Sequence, residues 1–187
     1  MGKIISVSKY YRDVCEEFAE KQLETSKDLY AYRGEARLDK MADDIIIGKM
    51  AEIAVMKHLK ELGYECGKPD FSIYERSKKS YDADLVTACG YNVHVKSQGM
   101  VSFKRYGASW LLQKNDRITK EPGKKDFMAM VLVDGNDCEL LGTCKIMDIV
   151  PHLGEPRVPS YRHTKKALYL EQLKENSVNL RAIRRKK

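Results

Sequence analysis

The sequence lacks the features that mark a membrane protein or a disulfide-stabilised secreted protein. No apolar run approaches the ~20 residues that a membrane-spanning helix needs. The first residues contain no long apolar core of the kind found in secretory signal peptides. The cysteines number 5, and none forms a Cys-x-x-Cys pair, which argues against a disulfide framework and a zinc ribbon. We therefore expect a cytoplasmic protein with reduced thiols and no membrane partner.

Several motifs of well-known chemistry are also missing. The sequence has no glycine-rich phosphate loop, no serine-histidine-aspartate set and no cysteine and histidine spacing typical of a metal site. We accordingly expect no small-molecule cofactor. What remains is a chain of 187 residues, 43% hydrophobic and 33% charged, in the range of folded soluble proteins. This length suits one domain with its own core.

Positive charge is the main bias in the composition. The formal net charge is +7 at pH 7. Basic proteins bind nucleic acids because lysine and arginine side chains displace condensed counterions from the phosphates. The same charge would also keep a protein soluble, so it does not by itself decide between these two explanations.

Hydrophobic periodicity predicts helices in the first third of the chain. Residues 8–28 and 37–62 have the spacing of amphipathic helices, with an interruption of the second near Gly48 and its end at Gly63. Residues 64–74, 126–134 and 138–146 are predicted strands, 99–106 and 151–160 loops, and 166–175 a short helix.

This order of elements predicts a single α/β (α+β) domain with a central mixed sheet flanked by helices. We divide the chain into an N-terminal helix (1–35), a core (36–150) and a C-terminal basic segment (151–187).

Residues 81–98 carry the most information about function. They are typical of two short strands joined by a tight turn at Cys89 and Gly90. Side chains alternate between the faces of a strand, so His94 and Lys96 share one face. With a loop of residues 89–91, Asp84 would lie opposite Lys96, which gathers these three polar side chains on one face.

The order of these residues resembles the PD-(D/E)XK superfamily, the restriction-endonuclease-like nucleases. That family has an Asp on one strand, an acidic-x-Lys triplet on the next and often a Glu on a preceding helix. Here Asp84, the His94-to-Lys96 triplet and Glu52 match these three parts, with Glu52 first in the chain. The resemblance covers residues 48–98 and implies a restriction-endonuclease-like fold. It also implies a metal-dependent endonuclease that acts on DNA, with a homodimer as the default assembly.

The resemblance also implies a role for each residue. Asp84 would be the principal ligand of Mg²⁺, with Glu52 as a second carboxylate and the backbone carbonyl of Val95 as a further ligand. Lys96 would be the catalytic lysine. Gln98, on the same strand face, would contact the water or the phosphate, or would be only an exposed strand end.

His94 departs from the family pattern, since an imidazole suits Mn²⁺ better than Mg²⁺. Three interpretations stay open. His94 could bind the metal, act on water or phosphate without touching metal, or mark a site that has lost catalysis. Asp70 and Asp82 are rivals of Asp84 as the metal carboxylate, although a turn or a strand start explains each of them.

Basic and aromatic residues alternate in two later segments, and we expect these segments to contact the DNA backbone. The basic residues are Lys104, Arg105, Lys114, Arg117, Arg162, Lys165 and Lys166. Two other functions stay open. One is a non-catalytic DNA-binding protein that retains a nuclease-like fold, and the other is an RNA-binding module in which Asp84 and Lys96 form only a cross-strand ion pair. Convergence of Glu52, Asp84 and His94 on one point would favour the enzyme.

Overall fold

The computed structural model describes residues 2–32, 38–73 and 82–186. A five-stranded mixed sheet forms the centre of this part of the protein. A separate ladder pairs two further strands. The seven strands are β1 (Lys3–Ser6), β2 (Leu85–Val86), β3 (Asn92–Gly99), β4 (Ser109–Gln113), β5 (Asp126–Asp134), β6 (Asp137–Lys145) and β7 (Lys165–Tyr169). The large sheet has the order β1-β6-β5-β3-β2, with β3 and β5 parallel and the other neighbours antiparallel. The small ladder joins β4 to β7.

Two long helices, α1 (Lys9–Tyr32) and α2 (Leu38–Glu61), confirm the prediction for the first third of the chain. The expected interruption near Gly48 is wrong, because one glycine costs a helix only about 1 kcal/mol and buried contacts offset this. In the described part of the chain four short helices follow: α3 (Met100–Tyr106), α4 (Arg117–Lys120), α5 (Ile146–Ile149) and α6 (Leu170–Glu175). Within the described ranges, no helix is long and apolar enough to cross a membrane.

The sheet separates two hydrophobic cores. On one face, Val93 and Ala129 pack with the buried side of α2. On the other face, Met128 and Met130 pack with residues of β4 and β7. Because β5 is buried on both faces, it has the continuous apolar pattern from which the sequence predicted it. The alternation along β3 places His94 level with Met128, on the face opposite α2.

Three predicted elements are wrong, and tertiary contacts explain each difference. Residues 64–73 form no strand and make a single bridge, Cys66 to Thr87, while Phe71 packs on Phe18. Residues 100–106 form α3 instead of a loop. The predicted helix over 166–175 is a strand to Tyr169 before α6 begins, because β7 pairs with β4 far away in the chain. Tyr74 and the polar residues 75–80, whose composition predicts a hairpin or loop, lie outside the described residues.

The register of the β2–β3 hairpin also differs from the prediction. Leu85 pairs with Val93, so the loop is residues 88–90 and the register is shifted by two residues. Gly90 has φ 80°, and a three-residue hairpin loop takes this left-handed conformation at its last position. The same register brings Asp84 level with His94 instead of Lys96. A shift of two preserves the faces, so the predicted clustering on one face remains.

Two glycine substitutions test what fixes this register. Gly90→Ala should lower the free energy of unfolding by about 1 kcal/mol, because a Cβ is disfavoured in the left-handed region. Gly48→Ala, the matched control, should raise it by about 0.5–1 kcal/mol, because a Cβ at this helical position meets nothing within 4 Å. Urea unfolding measures both. A Gly90→Ala protein as stable as the wild type would contradict the assignment of this loop.

Candidate active site

Asp84 lies at the point where β2 and β3 part. The ladder between these strands begins at Leu85, and the carboxylate of Asp84 accepts a hydrogen bond from the backbone nitrogen of Val95 at 2.7 Å. A side chain therefore satisfies an amide that would otherwise seek a backbone acceptor. The N–H and C=O of one strand residue point to the same side, so the carbonyl of Val95 is directed towards the same gap.

His94 and Lys96 follow on the same strand. His94 is only 8% exposed, and burial is the main reason that its pKa lies below the usual value. The charge of Asp84 raises this pKa and that of Lys96 lowers it, so both charges act on the imidazole. The ring of His94 forms no hydrogen bond with another described residue. It is therefore neutral at pH 7 and offers a nitrogen lone pair.

Glu52 reaches the same region from α2. It is 8% exposed, and burial raises its pKa to about 7. The ammonium of Lys49 opposes this shift at 2.7 Å from Oε2 of Glu52, whereas the charges of Asp84 and Asp70 increase it. Three carboxyl groups from separate parts of the chain are thus close enough to interact. Such mutual repulsion is typical of a site that binds a cation.

Sequence reasoning missed Lys49, which holds Glu52 in place. Its Nζ atom lies 5.3 Å from the ring centre of Phe18 and 5.5 Å from that of Phe71, within the range of cation–π attraction. The sequence signal was the spacing of three residues between Lys49 and Glu52 on one helix. The aromatic partners could not be inferred, since they lie on α1 and after Pro69.

Asp84 and Glu52 are the carboxylates of this site that could hold a hard divalent cation. Among residues 2–32, 38–73 and 82–186, no group of three His, Cys, Asp or Glu side chains is placed to hold a metal ion. Mg²⁺ commonly binds through one or two carboxylates, with water and substrate phosphates as the other ligands. Asp84, Glu52 and the carbonyl of Val95 fit that pattern.

Gln98 has a structural position. Its side chain is buried, donates to the carbonyl of Gly107 at 2.9 Å and accepts from the backbone nitrogen of Ser109 at 3.0 Å. Both ends of the amide are therefore bonded to the start of β4. Gln98 is therefore not an exposed strand end. Its amide is also already bonded, so the predicted contact with water or phosphate is wrong.

The rival carboxylates differ in their surroundings. Asp70 accepts a hydrogen bond from the backbone nitrogen of Ser72 at 2.9 Å, as expected of a turn, and its charge also raises the pKa of Glu52 after burial and the nearer charges. Asp82 is exposed and precedes β2. Asp84 alone of the three accepts a hydrogen bond from β3.

Six of the seven predicted DNA-contacting residues fall into two groups. Lys104 and Arg105 are on α3. The second group surrounds the end of the β4–β7 ladder, where Gln113 pairs with Lys165 and Lys114 donates to the carbonyl of Thr164. This group comprises Lys114, Arg117, Lys165 and Lys166.

The second group lies on the same side of the sheet as His94. Asp116, which neighbours this group, is close enough for its charge to raise the pKa of His94 slightly. Arg162 is partly engaged, since it donates to the carbonyl of Pro156 and lies 3.7 Å from a carboxylate oxygen of Glu155.

The raised pKa of Glu52 predicts a pH-dependent stability. Since the folded-state pKa is about 7 and the ordinary value is 4.5, the wild type should lose stability as the pH rises through this window. Glu52→Gln should remove this loss and gain ~2 kcal/mol on the wild type between pH 5 and 8. Urea unfolding in EDTA measures the effect. Glu65→Gln, at an exposed position, should track the wild type, and a Glu52→Gln profile parallel to the wild type would refute a buried carboxyl at this site.

Known proteins supply no further assignment. Comparison of the chain with protein-family models, with curated sequences and with solved structures found no match. The functional inference therefore depends on the geometry of the site and on the sequence pattern.

Proposed function

We propose that the protein is a divalent-metal-dependent endonuclease that hydrolyses phosphodiester bonds of DNA. One observation carries the proposal. Asp84, in the gap between β2 and β3, interacts electrostatically with both Glu52 of α2 and His94 of β3. Asp84 is thus the link between a helix glutamate and a strand histidine that come from separate elements. These two pairwise interactions support the enzyme hypothesis, which predicts that all three side chains converge on one point.

The topology agrees with the restriction-endonuclease-like fold that we propose. A long helix precedes an antiparallel strand pair, a short helix follows, and a later strand lies parallel to β3. The cluster lies at one end of the β2–β3 pair, as the resemblance implies for an active site. A homodimer, which would place a second site on the opposite DNA strand, is part of the same proposal.

Each side chain of the cluster has a distinct chemical role. Asp84, Glu52 and the Val95 carbonyl would hold Mg²⁺ or Mn²⁺, which when bound supplies an acidified water and offsets phosphate charge. Lys96 is half-buried and can orient the attacking water or neutralise charge on the phosphate. His94, neutral at pH 7, can accept a proton from the water or bind the cation.

The structural data weigh against the rival functions to different extents. An RNA-binding module would need Asp84 and Lys96 only as a cross-strand ion pair. The register brings Asp84 level with His94, and within the described ranges no ion pair joins Asp84 to Lys96. A non-catalytic DNA-binding protein is the stronger rival, because His94 replaces a carboxylate. Lys96 shares a strand face with His94 and is half-buried, so its ammonium is in a position to act on a phosphate bound near His94, which is the basis for preferring the enzyme.

Substitution of Lys96 tests the catalytic assignment. Lys96→Ala should slow the cleavage of supercoiled plasmid with Mg²⁺ or Mn²⁺ at least ~100-fold, because positioned acid–base or charge-stabilising groups contribute about this much. Binding of a short duplex in EDTA should change less than ~2-fold, since one phosphate contact at most is lost. Lys145→Ala, at the exposed end of β6, is the matched control. Retained cleavage with lost binding would show that Lys96 contacts DNA without catalysing.

A second substitution tests the metal shell. His94→Glu should increase the ratio of Mg²⁺-supported to Mn²⁺-supported cleavage, because a carboxylate oxygen is a better ligand for Mg²⁺ than an imidazole nitrogen. His163→Glu, which adds the same charge at an exposed position, should leave the ratio unchanged. If His94→Glu also leaves it unchanged, His94 is not a metal ligand.

A further inference from the structure

The C-terminal residues, which the sequence predicts to be a basic tail, pack against the domain as an ordered strap of residues 179–186. The backbone of Thr143 on β6 donates to Leu180 at 2.8 Å and accepts from Ala182 at 2.9 Å. Ile183 is 5% exposed and belongs to the core under α2. The strap is thus held by main-chain hydrogen bonds and by a buried side chain.

The strap leads from β6 towards the hairpin that carries Asp84. It starts at a close approach, since a Cβ at Gly142 would lie 3.0 Å from the Cβ of Leu180. It ends where Lys186 donates to the carbonyl of Leu62 at 2.8 Å, after α2. A hydrogen bond from Thr87 lowers the pKa of the Cys89 thiol in the hairpin loop, and the charge of Lys186 contributes to this. The end of the strap is therefore beside the hairpin.

The C-terminal end of the chain contains most of its net charge. Five basic residues occupy the last seven positions, and without them the formal net charge of +7 would be only +2. Lys174, Arg181 and Arg184 together line two clefts beside the strap, of ≈470 and ≈660 Å³. Over the described part of the chain, none of these three side chains forms an ion pair.

An ordinary structural role explains only part of this arrangement. The backbone nitrogen of Lys186 satisfies the carbonyl of Leu62 just after α2 and so holds the end of the strap. Lys174, Arg181 and Arg184 instead line the clefts, and no carboxylate is among the described residues that line them. Like charges gathered on a fixed scaffold repel one another and favour a bound anion.

We propose that Lys174, Arg181 and Arg184 form a second DNA-contacting surface, which binds backbone phosphates of the duplex away from the Asp84 cluster. The proposal rests on the proposed function for its partner, and it adds a surface to the basic groups of α3 and the β4–β7 ladder. Arginine suits this role because its planar guanidinium binds phosphate oxygens in pairs.

The salt dependence of DNA binding tests the proposal. Fluorescence anisotropy with a duplex of ~30 base pairs, in EDTA from ~50 to ~300 mM KCl, compares the wild type with the triple variant Lys174→Gln/Arg181→Gln/Arg184→Gln. Loss of three phosphate contacts should reduce the slope of log K against log salt by about 2–3 and weaken binding at least ~10-fold. The control Arg12→Gln/Lys21→Gln/Lys40→Gln removes the same charge from exposed ion pairs of α1 and α2 and should keep the wild-type slope.

Each other outcome overturns the proposal. An unchanged slope in the strap variant would show that the three side chains are only solvated, and an equal loss in the control would show an effect of net charge. Strap-dependent binding of an RNA duplex without DNA binding, or of inorganic phosphate or AMP alone, would assign the surface to another ligand. A Tm close to that of the wild type establishes that the variant folds.

Plasmid cleavage separates this proposal from the proposed function. The strap variant should still cut at saturating protein concentration with Mg²⁺ or Mn²⁺, since the substituted residues are not in the Asp84 cluster. If the wild type binds DNA through these three side chains but never cuts it, the second DNA-contacting surface is supported and the proposed nuclease activity is refuted. If the wild type cuts DNA and the triple variant binds DNA as tightly as the wild type does, the nuclease activity is supported and the second DNA-contacting surface is refuted.

Discussion

The hydrogen bond from the Val95 amide to the Asp84 carboxylate is the interaction on which the candidate site depends. Two strands that part inside a protein leave backbone groups without partners, and such groups are costly when buried. Asp84 satisfies the amide, keeps the gap open and fixes its own carboxylate beside His94.

Electrostatic repulsion is the second constraint on this region. Burial is the main reason that the pKa of Glu52 is raised to about 7, and the charges of Asp84 and Asp70 raise it further. Lys49 offsets part of the negative charge, and its contacts with Phe18 and Phe71 keep the ammonium in position. A divalent cation would favour the ionised form of Glu52 in the same way. In the proposed function, a bound cation would offset the cost of ionising Glu52, and the basic side chains near the strap, at the far end of α2, would meet the phosphates.

Sequence reasoning succeeded where local pattern and burial agree. The strand at 126–134 was predictable because neighbours on both faces bury it, which requires a continuous apolar run. The segment 165–169 was not predictable, because its strand conformation comes from pairing with β4 more than fifty residues earlier. The predicted register of the hairpin was wrong by two residues. Cys89 and Gly90 marked the turn in the sequence, but only the left-handed conformation of Gly90 fixes it as the last residue of the loop.

The sequence by itself determined which side chains share a strand face, so the alternation of residues was enough to group Asp84, His94 and Lys96. Alternation is a local property of the backbone and survives a register shift of two. The tertiary structure decided the level of Asp84 on β3, the pairing of Lys49 with distant aromatic rings, the buried amide of Gln98 and the docking of the strap. These features depend on contacts between residues far apart in the chain, which no local pattern encodes.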